Sequence, residues 1–165
     1  MARTEIERTV QPSLLDRLTD ETPSASADRP TTWEASVRAY KHAVQRDVEW
    51  LLNTRRTPEP AGGNFPAVRR SVFNYGLVDV TTARVEARAD RDRLLEAVEE
   101  ALSVFEPRLG GLHVTMGEIS RLSALQVRFT VEALLRMDPS PEQVVFDTVL
   151  EIASGAYDVR GGDLA

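Results

Sequence analysis

Between positions 33 and 52, Trp33, Val37, Tyr40, Val44, Val48, Leu51 and Leu52 recur every three or four residues, with charged residues between them. That period lines one face of a helix and predicts a long one over about Thr32–Asn53. Thr31 and Glu34 have capping-box spacing at its start. The Pro- and Gly-rich stretch Thr57–Gly63 then breaks the chain. A shorter helix is predicted over Pro66–Tyr75, with Asn64 as its cap, Pro66 in the first turn and Gly76 as a left-handed stop. Leu94, Leu95, Val98, Leu102 and Phe105 define a third helix from about Asp92 to Phe105. Asp90 is its expected cap, and Pro107 ends it by pushing the preceding residue out of helical geometry.

After this point the apolar period becomes two. Leu112, Val114 and Met116 alternate with polar or small residues, as do Leu125, Val127, Phe129, Val131, Ala133 and Leu135. Asp138-Pro139-Ser140-Pro141 reads as a turn. Val144, Phe146, Thr148, Leu150 and Ile152 share one face of a further strand, and Ser154-Gly155 turns it into a last short strand, Ala156 to Val159. Helices followed by strands predict an α+β domain, with N-terminal helices packed on a small C-terminal antiparallel β-sheet. The polar first 30 residues read as a mobile arm (1–30), followed by the domain (31–160) and a flexible tail (161–165). Within the arm, Leu14, Leu15 and Leu18 fall on one face of a short helix that Ser13 can cap. A helix this short is not stable alone. It is either a terminal turn packed on its own domain or a docking peptide that orders on a partner.

Composition narrows the chemistry. The 165 residues hold 26 Asp and Glu against 20 Lys and Arg, a net charge of -6. That balance argues against a general phosphate-binding surface, and no nucleic-acid partner is expected. With no cysteine, disulfides, thiolate metal sites and a Cys nucleophile are excluded. The two histidines, His42 and His113, lack metal-ligand spacing, so neither a metal nor a cofactor is expected. No apolar run approaches the roughly 20 residues that span a bilayer, and the N-terminus has no apolar signal core. The expected location is the cytoplasm, without direct membrane insertion.

Several segments together resemble the TssE and phage-wedge family. They are Ser13-Leu14-Leu15-Asp16-Arg17-Leu18, Leu51-Leu52-Asn53-Thr54-Arg55-Arg56, Ser71-Val72-Phe73-Asn74-Tyr75-Gly76-Leu77-Val78-Asp79, Phe105-Glu106-Pro107-Arg108-Leu109, Phe146-Asp147-Thr148 and Ser154-Gly155-Ala156-Tyr157. The likeness covers residues 12 to 160, and its specificity lies in the order and spacing of the set. The resemblance implies a structural, non-enzymatic baseplate component of a contractile injection system. Its start and long first helix look more like the type VI secretion branch than the phage-tail branch. Implied partners are the wedge proteins TssF and TssG and the sheath proteins TssB and TssC, with TssK and the hub and tube proteins as further contacts. The implied place is a baseplate docked at the inner membrane. The family's Glu-Pro-Arg motif falls on Glu106, Pro107 and Arg108, and the resemblance implies that it holds the wedge core together and is needed for sheath assembly.

The residues also carry physical readings of their own. At a helix C-terminus a cation suits the dipole and a carboxylate does not. Arg108 is therefore expected at the last carbonyls, and Glu106 needs a partner: Arg69, Arg70, Arg55 or a group on another protein. The competing reading is a solvated helix end with a weak surface pair. Arg55 and Arg56 suit the end of the first helix and are candidates for an acidic partner surface. The last strand offers an edge to which sheath subunits can add a strand. The rival class is a cell-wall glycoside hydrolase, which needs two carboxylates across a sugar cleft; Glu106, Glu132 and Asp147 are its candidates, without an aromatic cluster to seat a sugar.

Overall fold

The computed structural model describes residues 9–19, 32–59, 65–79, 87–120 and 126–161, and of 118–120 the backbone alone. The expected caps Thr31 and Asn64, the strand position Leu125 and the tail from 162 onward lie outside the described residues. The chain divides into two compact units, Met1–Val44 and Gln45–Ala165.

The first unit contains α1 (Leu14–Leu18) and the start of α2 (Trp33–Asn53). The Ser13 hydroxyl caps α1 by accepting the Asp16 N–H at 3.2 Å. The Leu14, Leu15 and Leu18 side chains, the apolar face of α1, are 70%, 50% and 76% exposed. Just ahead of α1, Val10 is buried, and its N–H donates to the Ser36 hydroxyl on α2 at 3.1 Å. Thr32 stands before α2 and takes the Ala35 N–H on its hydroxyl at 3.3 Å, one position later than the expected capping residue.

The second unit carries the rest of α2, then α3 (Pro66–Arg69), a 3-10 turn (Val72–Asn74), α4 (Arg88–Phe105) and four strands. The single helix predicted over Pro66–Tyr75 is in fact two pieces. Ser71 is extended, at φ -93° and ψ 170°; its hydroxyl donates to the Val68 carbonyl and accepts the Phe73 N–H. One serine thus closes the first turn and caps the second, the competition with helix that this side chain favours. Gly76 does adopt the left-handed region, at φ +99°. α4 begins earlier than predicted, at Arg88, behind Ala87, which offers no side-chain cap. Asp90 sits inside the first turn instead, where a carboxylate suits the dipole. The helix ends at Phe105, before Pro107, as expected.

The strands β1 (Leu109–Ser120), β2 (Gln126–Leu135), β3 (Glu142–Glu151) and β4 (Ala156–Gly161) form one antiparallel sheet in the order β1-β2-β3-β4. The turn between β2 and β3 contains a cis Asp138–Pro139 bond. The predicted alternation holds: Val127, Phe129, Val131, Ala133 and Leu135 on β2 and Val144, Phe146, Thr148 and Leu150 on β3 are all buried. Val48, Leu51 and Leu52 of α2 and Leu94, Val98 and Leu102 of α4 are buried as well. Each large one contributes roughly 1.5–3 kcal/mol of transfer free energy. The arrangement is the α+β order read from the sequence.

Candidate functional site

The C-terminal end of α2 is the meeting point of the segments that carried the resemblance. Asn53 faces β4: its amide donates to the Tyr157 carbonyl at 2.8 Å and accepts the Tyr157 N–H at 2.9 Å. Gln45, two turns earlier, donates to the Val159 carbonyl at 2.8 Å. Arg55 donates to Asp79 at 3.1 Å and to the Ser154 carbonyl at 3.1 Å. The backbone on either side is stitched as a short parallel bridge between Arg55 and Leu77, through Leu77 N–H to Thr54 O at 2.9 Å and Arg56 N–H to Leu77 O at 2.8 Å. That approach explains Gly76. A Cβ there would stand 2.1 Å from the Thr54 oxygen.

Below this junction lies the Glu106-Pro107-Arg108 corner between α4 and β1. Glu106 is buried, at 4% exposure, and its carboxylate receives the Arg108 guanidinium on both oxygens at 2.5 Å. The same guanidinium donates to Asp47 on α2 at 2.7 Å. Glu106 therefore finds its partner two residues away, not among Arg69, Arg70 or Arg55. Arg108 turns to two carboxylates, Glu106 and Asp47. Arg69 pairs with Glu100 at 3.5 Å. Burial opposes the charge on Arg108, but its hydrogen bonds to Glu106 and Asp47 outweigh it and hold the guanidinium pKa above its ordinary value. Bidentate geometry of this kind is the strongest that a guanidinium and a carboxylate make.

The cluster continues outward. Asp47 also receives Arg46, at 2.9 Å and 3.1 Å, and the Arg46 guanidinium lies 4.8 Å over the ring of Trp50. Trp50 is 51% exposed. A line of contacts thus runs from buried Glu106 through Arg108, Asp47 and Arg46 to an exposed aromatic. Tyr75 stands beside it, edge-on to Phe105 at 5.4 Å. Partial burial, then the charges of Asp47 and Glu106, raise its phenol above the usual value. Sequence reasoning missed Asp47, Arg46 and Trp50. The available signal was a tryptophan on the polar face of α2, off the Val44–Val48–Leu51–Leu52 stripe.

Arg55 and Arg56 sit in different surroundings. Arg55 is tied to Asp79 and Ser154, whereas Arg56 lines a cleft of about 300 Å³ with Arg69, Leu77, Glu100 and Phe105. Glu100 is the one acidic residue among the described lining of that cleft. Glu132 and Asp147 are exposed on the other face of the sheet; Asp147 lies opposite Thr130 and accepts its hydroxyl at 3.1 Å, and Glu132 lies opposite Val145. Of the three candidate carboxylates for hydrolysis, Glu106 is buried in an ion pair, whereas Glu132 and Asp147 are exposed diagonal neighbours on β2 and β3.

No helix among the described residues is long and apolar enough to cross a membrane. A family model described as baseplate wedge protein gp25 matches residues 38–140, from α2 to the turn after β2. No curated protein and no solved structure matches the chain. The matched stretch takes in the α2 terminus, the Ser71–Asp79 segment and the whole Glu106–Arg108 corner. The chain belongs to the gp25 family of baseplate wedge proteins, which is also the family of TssE.

Proposed function

We propose that the chain is the TssE-like wedge subunit of a type VI secretion baseplate, working by assembly and not by catalysis. In this reading it joins TssF and TssG through the ground around the Glu106–Arg108 corner, and it helps to start the TssB–TssC sheath. It acts on the cytoplasmic side, in a baseplate docked at the inner membrane. The observation that carries the reading is the contact line from Glu106 to Trp50. Its inner end is buried and fully paired, which fixes the geometry. Its outer end presents a tryptophan stacked under an arginine, the residue types that anchor protein interfaces. The exposed leucines of α1 supply a second apolar element suited to docking in a partner's groove. TssK and the hub and tube proteins stay as neighbours to be tested in the same assembly.

The test is co-expression with TssF and TssG followed by capture on the tagged chain. The wild type is expected to bring down both. Arg108→Ala is expected to bring down neither, with circular dichroism reporting how much fold it retains. A folded, soluble wild-type chain that captures neither protein overturns the reading. A zymogram of the purified chain addresses the hydrolase alternative, and clearing that disappears with Glu106→Gln would replace assembly with catalysis.

A further inference from the structure

The cleft of about 300 Å³ in the second unit differs in charge from the chain around it. Arg56 and Arg69 stand against a single carboxylate, Glu100, in its described lining, whereas the chain has a net charge of -6. Much of its apolar side comes from α4, where Ala97, Ala101 and Val104 share a face at helical spacing. Alanine side chains end at Cβ, and two of them on that face leave the hollow. Leu77 and Val78 are added by the segment that Gly76 brings against the Thr54 oxygen. At this volume, the small end of the range for ligand clefts, the site suits side chains and not a whole helix or strand.

Two polar side chains of the lining are left over. Arg56 and Asn74 are half-buried, and neither side chain has a hydrogen bond or ion pair among the described residues. The Arg56 backbone is held, its N–H donating to the Leu77 carbonyl at 2.8 Å. The guanidinium is thus tethered at the cleft with its donors available. Arg69 has the loose 3.5 Å contact with Glu100, both side chains exposed. The contrast is with Arg55 and Arg108, whose donors are engaged within the chain. Along the same segment as Asn74 and Leu77, the large apolar side chains of Val72, Phe73 and Val78 are exposed.

We propose that this cleft binds an acidic segment of a partner protein, which lays a large apolar side chain against α4 and sets an adjacent carboxylate, from Asp, Glu or a chain end, on Arg56 and Asn74. A small inorganic anion would use the guanidinium and leave the apolar lining wet. A purely apolar segment would cover Arg56 and leave its charge unpaired, which is costly. A segment with both groups satisfies both halves of the lining, and the guanidinium is shaped to take a carboxylate on two donors. Glu100 works against this occupant, since it draws on Arg69 and repels an arriving carboxylate. The inference rests on the baseplate reading for the identity of the partner, TssF–TssG. It narrows the acidic-partner surface expected at Arg55 and Arg56 to Arg56, with Asn74 and Arg69 beside it.

The chain has no cysteine, so Val78→Cys places a single photo-crosslinker at the exposed rim of the cleft. Mixed with TssF–TssG, the labelled chain is expected to mark a segment in which mass spectrometry finds a carboxylate beside a large apolar residue. Adding Arg56→Glu is expected to lower the yield roughly tenfold, because a favourable charge pair becomes a repulsive one. Adding Glu100→Gln instead is expected to raise it about twofold, the effect of one exposed charge. Loss of fold does not produce such a gain, so if melts show Arg56→Glu to be unfolded, Glu100→Gln alone decides. No crosslink, a marked segment without a carboxylate, or a yield that fails to fall with a folded Arg56→Glu or to rise with Glu100→Gln overturns the proposal. Capture of TssF–TssG by the tagged wild type reads the baseplate assignment separately. If capture persists without crosslinking from position 78, the cleft proposal fails and the wedge role stands.

Discussion

Arg108 is shared by two carboxylates, and Glu106 is too buried to do without it. Arg108→Met keeps the bulk of the side chain and strands Glu106 in the interior. An unpaired buried charge of this kind costs about 3–5 kcal/mol, and urea titration followed by circular dichroism will report it. Glu106→Gln combined with Arg108→Met is expected to lose less than the sum of the two single changes, because each removes the other's reason for being charged. Tyr157 gives a second residue-scale prediction. Its ring packs edge-on to Phe129 at 6.0 Å, and its hydroxyl has no hydrogen-bond partner among the described residues. Burial raises the phenol well above its ordinary value near 10. Above that pH the unfolded chain loses a proton that the folded chain keeps, so stability falls by up to about 1.4 kcal/mol per unit. Tyr157→Phe should remove that share of the alkaline loss, and at neutral pH it should be neutral or stabilising by about 1 kcal/mol. Thermal melts of both proteins at neutral pH and at about pH 11 will measure the difference. At this scale the sequence marked Glu106 and Arg108 but not their third member. Asp47 lies 61 residues from Arg108, and no local spacing connects a helix-face aspartate to a corner that far along the chain.

Elements were the most legible scale, because periodicity reports burial directly. The long helix, the fourth helix and the alternation of β2 and β3 all follow from where their apolar residues recur. The failures were at boundaries set by side chain-to-backbone bonds. Ser71 breaks the helix predicted over Pro66–Tyr75, since its hydroxyl offers the backbone another partner. α4 starts without a capping side chain, so nothing in the sequence marked Arg88. The last strand, read as an open edge, carries hydrogen bonds to the amides of Gln45 and Asn53, which lie on a helix, and only the fold puts them against β4. Gly76 is where an element-scale expectation becomes a test. Its left-handed φ and the nearby Thr54 oxygen leave no room for a side chain. Gly76→Ala should cost about 1–3 kcal/mol from the backbone conformation alone, and more from pushing Leu77 off its bridge to Thr54 and Arg56. The expected signs are a lowered melting temperature and faster hydrogen exchange at the Leu77 and Arg56 amides, with the β2–β3 amides still protected.

For the whole molecule, a baseplate wedge protein has to hold a fixed shape while larger assemblies lean on it, so fold and function must be separable by mutation at its surface. Trp50 offers that separation. It is half exposed and belongs to no buried stripe, and its described ring contact is with Arg46. Trp50→Ala is expected to cost the isolated chain about 1 kcal/mol, the scale of a cation–π contact and a partly covered ring. If the outer end of the Glu106-to-Trp50 line is the anchor for TssF–TssG, the same change should weaken their capture roughly thirtyfold, since interface tryptophans of this type contribute 2 kcal/mol or more. Arg108→Met, by contrast, should lose stability and capture together, because it loosens Asp47 and Arg46 from below. Titrating TssF–TssG against wild type, Trp50→Ala and Arg108→Met, alongside melts of each chain, distinguishes the two modes. A Trp50→Ala chain that melts normally and captures normally would mean that the corner is internal scaffolding and that the partners bind elsewhere, with the exposed leucines of α1 the next surface to examine.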